Sequence, residues 1–276
     1  MKHPASREYK MMLKPGPFAG SDAARAAAVA AVWRDLDQHL ADHSVSAAKQ
    51  LELAVRRKVV FLDTPDRQLY GQFDLILRLR QSQEGMARAD VTLKFRHGDR
   101  LQSAAQPFRP RKAYAGDGRE VTFEEDVKAV PSARGLGFWA LFSRSAKAVI
   151  EEVTMLATVE ALGSVYAKLP AHLTVISDQP LVIVGGLVIT EEVYAGGWFD
   201  IADARAEAAV ILWFRPDDPR MPIAAELSFR FDLHKGRADP ALAAGAWRLF
   251  QALHALDDVD PQGPTKTALV YGTAQP

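Results

Sequence analysis

With 276 residues, almost half of them apolar, the chain is long enough to bury a sizeable core. Its 34 basic and 34 acidic residues cancel, so no global field draws in nucleic acid or an anionic membrane, and function is left to local charge separation. Cysteine is absent, which excludes disulfides, thiolate metal sites and cysteine nucleophiles.

Residues 7–14 (Arg-Glu-Tyr-Lys-Met-Met-Leu-Lys) predict a short strand, stopped by Pro15-Gly16-Pro17. Ser21 or Asp22 then caps an alanine-rich helix to about His43, with Val29, Trp33, Leu36 and Leu40 as its apolar stripe. Leu51–Leu62 predicts a strand ending in the turn Asp63-Thr64-Pro65-Asp66, where proline suits position i+1 and the aspartates bond local amides. Two strands follow, separated by the polar loop Gln81–Asp90. Alternation puts Leu75, Leu77, Leu79, Val91, Leu93 and Phe95 on one face, and Arg78, Arg80, Lys94 and Arg96 on the other.

Residues 97–119 read as a basic loop. Glu120–Val127 predicts a strand with Glu124 and Asp126 on one face and Phe123 and Glu125 on the other. Gly135–Phe142 reads as a helical turn before a strand near Ser145–Glu151, and residues 155–175 have helical character. Leu181–Val193, Trp198–Ile201, Ala208–Phe214 and Ile223–Asp232 predict strands, the last two linked by the turn-rich Pro216–Pro222. A helix runs from Asp239 or Pro240 to about Leu256, and Thr265–Tyr271 reads as a closing strand. The N-terminus lacks the apolar segment of a secretory signal, and the longest apolar run, Leu181–Ile189, falls short of the ~20 residues that span a bilayer. A cytoplasmic protein without a membrane segment is therefore expected.

Many strands with few long helices predict one α+β domain over residues 1–276, built on a large antiparallel sheet or barrel. Two readings fit the charges. On an open sheet the apolar face packs inward and the charged face is solvated, the ordinary arrangement. In a closed barrel the charges point inward and need an ion or a polyanion to satisfy them. Arginine and lysine would then take phosphate oxygens, and carboxylates would hold a hard divalent cation.

Phe61-Leu62-Asp63-Thr64-Pro65-Asp66, Leu77-Arg78-Leu79-Arg80 and Thr92-Leu93-Lys94, in this order within 36 residues, resemble the CYTH or triphosphate tunnel metalloenzyme superfamily. Weaker echoes are Glu8, Phe123-Glu124-Glu125-Asp126, Ala225-Glu226-Leu227-Ser228-Phe229 and Thr265-Lys266-Thr267. The resemblance implies an eight-stranded antiparallel β-barrel, a tunnel with helices packed outside. It implies that Arg78, Arg80, Lys94, Arg96 and Lys266 bind the phosphates of a small-molecule triphosphate or polyphosphate. It also implies that Glu8, Glu124, Asp126 and Glu226 line a site for Mg²⁺ or Mn²⁺.

The implied activity is metal-dependent hydrolysis of inorganic, thiamine or nucleoside triphosphate. The alternatives are a non-catalytic polyphosphate- or nucleotide-binding module with a degenerate metal site, and class IV-type adenylyl cyclase chemistry. The chain departs from the family's Glu-x-Glu-x-Lys first strand, since Glu8, Lys10 and Met12 stand at its three positions. A lysine there removes one carboxylate and adds a positive charge. The closing segment has one lysine where the family has two.

The remaining candidates carry less. His39 and His43, four apart, lack a third ligand, so a solvated helix end is the ordinary reading. Gly185-Gly186 reads as a turn. Trp33, Trp198, Trp213 and Trp247 read as core anchors, because cations do not alternate with them in sequence.

Overall fold

The computed structural model describes residues 2–40, 45–82, 88–116, 120–132 and 135–272. Its strands are β1 (Ser6–Leu13), β2 (Val45–Ala48), β3 (Glu52–Asp63), β4 (Leu75–Ser82), β5 (Ala89–His97), β6 (Arg109–Pro110) and β7 (Val121–Ser132). Then come β8 (Gly135–Ile150), β9 (Tyr166–Ala167), β10 (Val182–Ile183), β11 (Ile189–Ile201), β12 (Ala204–Arg215) and β13 (Asp218–Asp232). The α-helices are α1 (Asp22–Leu40), α2 (Gln68–Phe73), α3 (Arg100–Ala105), α4 (Leu162–Val165), α5 (Pro240–Leu253) and α6 (Lys266–Tyr271). No helix among the described residues is long and apolar enough to cross a membrane.

The fold is α+β. Among the described residues, eleven strands form one sheet in the order β10-β3-β4-β5-β8-β7-β1-β13-β12-β11-β2, and β3 pairs in addition with β11. The pairing order therefore returns on itself through nine strands, which corrects the expected count of eight. The ladders β3–β4, β4–β5, β5–β8, β1–β13, β12–β13 and β11–β12 are all antiparallel.

Two compact units divide the chain. The first takes Met1–Pro4, Arg57–Glu124 and Leu141–Ile189; the second takes Ala5–Arg56, Glu125–Ala140 and Thr190–Pro276. In the first, Leu75, Leu77 and Leu79 of β4 and Val91, Leu93 and Phe95 of β5 pack with Leu69 of α2, Leu162 and Val165 of α4, and Tyr166. In the second, the alternate residues Tyr9, Met11 and Leu13 of β1 and Leu227, Phe229 and Phe231 of β13 pack under Val29, Trp33 and Leu36 of α1 and Leu249, Phe250 and Leu253 of α5. The stripe read at helical spacing is thus the buried face of α1.

Local chemistry sets the helix ends. Asp239 accepts hydrogen bonds from the Ala241 and Leu242 amides, and Pro240 takes the first turn of α5, where it breaks no hydrogen bond. Asp99 caps α3 through the Leu101 and Gln102 amides, so part of the expected 97–119 loop is helical. Some strand and helix expectations are corrected. Thr265–Tyr271 is not a strand: Thr265 accepts from the Ala268 amide, Gly272 closes the end at φ 63°, and these two caps select helix α6. Gly135–Phe142 is not helical but the first half of β8, next to β7 in the sheet.

The strand expected over Leu181–Val193 is broken. Val184–Gly186 makes a 3₁₀ turn with both glycines at positive φ, as the Gly185-Gly186 pair suggests, and β11 begins only at Ile189. It then runs through Trp198–Ile201, with an irregularity between Ala195 and Trp198. His43 lies outside the described residues, as do residues 83–87 of the Gln81–Asp90 loop and residues 117–119.

Candidate anion-binding face and carboxylate strip

Antiparallel register turns the alternation of β4 and β5 into a surface. Arg78 stands opposite Thr92, which stands opposite Lys147 of β8. Lys94 faces Ser145, Arg96 faces Ser143, and on β3 Arg57 faces Ser82 of β4. Because the intervening residues belong to the core of the first unit, Arg57, Arg78, Arg80, Lys94, Arg96 and Lys147 share the opposite face of four neighbouring strands. Thr92, Ser143 and Ser145 are buried between them, and Arg96 Nε donates to Ser143 Oγ at 3.3 Å. All four sheet cations expected to take phosphate therefore lie together. Arg57 and Lys147 were missed, since neither sits in a repeating charged pattern and only the register brings them to this face. Arg144 falls on the other side, opposite Phe95, and burial holds its guanidinium below the usual range.

The Asp63-Thr64-Pro65-Asp66 turn holds up the end of β3. The buried Asp63 carboxylate accepts from the amides of Thr64 at 2.7 Å, Leu69 at 2.9 Å and Tyr70 at 3.0 Å, and Thr64 Oγ1 accepts from the Gln68 amide at 2.9 Å. Asp63 thus satisfies the free donors at the start of α2. Its task in this turn is structural.

The second unit carries Glu8, Asp126 and Glu226, whereas Glu124 falls in the first. On β1 the face away from the core holds Glu8, Lys10 and Met12, opposite Arg230, Ser228 and Glu226 of β13. Lys10 Nζ lies 2.9 Å from Glu8 Oε2 and 2.7 Å from Asp126 Oδ1. Lys266 Nζ lies 2.8 Å from Glu226 Oε1 and 5.5 Å from the centre of the Trp213 ring. Trp213 Nε1 donates at 2.9 Å to Glu191, a buried carboxylate with no place among the expected site residues. Glu124 is half-buried on β7, two residues before Asp126 and on the same face.

Of the four expected metal-side residues, Glu8 and Asp126 are thus brought together by a lysine, and Glu226 is held by Lys266. A cation at the first turn of a helix is disfavoured by the dipole, so the carboxylate sets the position of Lys266. Magnesium or manganese needs a set of oxygen ligands at short range. Here the ammonium of Lys10 already stands between the two carboxylates, and the donors as arranged do not fit a divalent ion. Among the described residues, no group of three or more histidine or acidic side chains is set to hold a metal.

Of the four tryptophans read as core anchors, Trp33 lies in the core of the second unit and Trp247 packs against it, Trp213 is buried beside Glu191 and Lys266, and Trp198 is flanked by Lys49 at 5.1 Å and Arg205 at 4.3 Å from its ring centre. Sequence separation hid these cations.

No protein-family model matches this chain, and no curated protein sequence matches it significantly.

Proposed function

We propose that this protein binds a triphosphate-containing or polyphosphate anion on the cationic face of β3, β4, β5 and β8. The observation that carries this reading is the grouping of six cations with three buried hydroxyls on one face. Asp90 stands opposite Arg80 as an acid on this face, and the six cations still outnumber it, so a polyanion laid across the strands meets several positive charges at once. The four arginines present planar forks that suit phosphate oxygens, and the hydroxyls add neutral donors beneath them. Binding without turnover is favoured over metal-dependent hydrolysis because lysines engage Glu8, Asp126 and Glu226.

Calorimetric titration with tripolyphosphate tests the proposal. The double variant Arg78→Ala/Arg80→Ala should bind at least about a hundredfold more weakly, from the loss of two charge-assisted contacts. Unchanged binding by a folded double variant would refute it. Phosphate release from tripolyphosphate, thiamine triphosphate and nucleoside triphosphates with Mg²⁺ or Mn²⁺ then separates a binding module from a hydrolase.

A further inference from the structure

We infer that the Lys10 ammonium is the resident cation of the Glu8–Asp126 pair, so that this protein holds its anion without a divalent ion. The inference deepens the binding reading but is measured apart from it. Two carboxylate oxygens lie 2.7 and 2.9 Å from one ammonium nitrogen, which directs two of its three hydrogens to them. Asp126 is 7 % exposed at the side chain, so the attraction acts with little screening by water.

The lysine is also tethered. It stands on the same strand as Glu8, two residues away, and a dissolved ion must displace a charge that never leaves. Such an ion must also shed part of its hydration shell, which magnesium gives up reluctantly. The rest of the strip offers little in return. Ser228 opposes Lys10, the Met12 thioether is a poor ligand for a hard cation, and Lys266 holds Glu226.

The test is a manganese titration of the full chain, read by the electron spin resonance signal of free Mn²⁺ and by calorimetry. The wild type should leave Mn²⁺ free, while Lys10→Glu, which exchanges the ammonium for a third carboxylate, should bind one ion at least about tenfold more tightly. Lys10→Gln removes the ammonium without adding charge and should also gain affinity, which keeps the test open if Lys10→Glu folds poorly. A wild type that binds Mn²⁺ as tightly as either variant overturns the inference, and so does a failure of both folded variants to gain.

Tripolyphosphate titrations of the wild type in EDTA and in Mg²⁺ complete the experiment. The affinity should be no higher with the metal, and a tightening of about tenfold, some 1.4 kcal/mol, would overturn metal independence. Absence of tripolyphosphate binding under both conditions would sink the proposed function, while the manganese titration would still decide the role of Lys10.

Discussion

Arg25 grips Glu192 with both prongs of its guanidinium: Nε donates to Oε2 and Nη2 to Oε1, each at 3.0 Å. Both residues are almost fully buried. Arg56 Nε adds a hydrogen bond to Oε1 at 2.9 Å, and the Tyr194 hydroxyl donates to Oε2 at 3.2 Å. Burial, and then the adjacent Glu192 charge, push the Tyr194 phenol up to about 12, so it stays a donor through the physiological range. Asp22 accepts from both arginines, and Phe214 lies under Arg25 at 4.8 Å. The network fastens the start of α1 to β11 and β3 within the second unit.

Glu192→Gln would leave two guanidinium groups facing a neutral amide at a buried position. The expected loss is about 3–5 kcal/mol, the usual cost of removing one partner of a buried ion pair. Urea denaturation followed by circular dichroism measures it, and a loss below 1 kcal/mol would show that water already compensates these charges.

Asp63→Ala strands the Thr64 amide in the turn and the Leu69 and Tyr70 amides at the start of α2, and should cost about 3 kcal/mol. Because Asp63 serves the turn, the folded fraction should keep its affinity for tripolyphosphate. Denaturation and calorimetry on the same preparation separate the two effects.

Arg57 and Lys147 extend the cationic face beyond the residues that the repeating pattern marks. Arg57→Ala and Lys147→Ala should each weaken tripolyphosphate binding about tenfold and flatten its dependence on salt. Arg248→Ala changes the net charge equally from the exposed side of α5 and should leave the titration unaltered.

Lys266→Met removes the ammonium from Glu226, which is 4 % exposed. Stability should fall by about 3 kcal/mol, and adding Glu226→Gln should restore part of it, because the stranded charge is removed. A double-mutant cycle by chemical denaturation reads the coupling. Additive losses would mean that the pair carries no coupling.

His254 sets a mild pH dependence. Burial lowers its pKa from the usual 6.5, against the opposing hydrogen bond that Nδ1 donates to the Phe250 carbonyl at 2.6 Å. Between the two values the unfolded chain holds the proton and the folded chain does not. The stability contribution is whole above pH 6.5 and declines as the pH falls toward the folded value. His254→Leu should remove that slope from a series of denaturation curves below pH 6.5.

The amino-acid sequence by itself determined which side chains share a face within one strand. Period-2 alternation separates Arg78 and Arg80 from Leu77 and Leu79, and Glu124 and Asp126 from Phe123 and Glu125, wherever the strands lie. It also marked the start of α5, because an aspartate cap acts on amides two or three residues away, while the same kind of cap at Asp99 starts α3 inside the expected loop. Tertiary structure alone decided which strands are neighbours. Arg57 and Lys147 join the cationic face, Lys10 reaches Asp126, and Lys266 reaches Glu226 from helix α6, through ladders and packing between segments apart in the chain. Thr265–Tyr271 shows the same division: its β-prone composition favours a strand, but its caps and the Glu226 partner of Lys266 hold it as a helix. Local sequence carries the period of an element, whereas register depends on long-range hydrogen bonds whose partners no local pattern specifies.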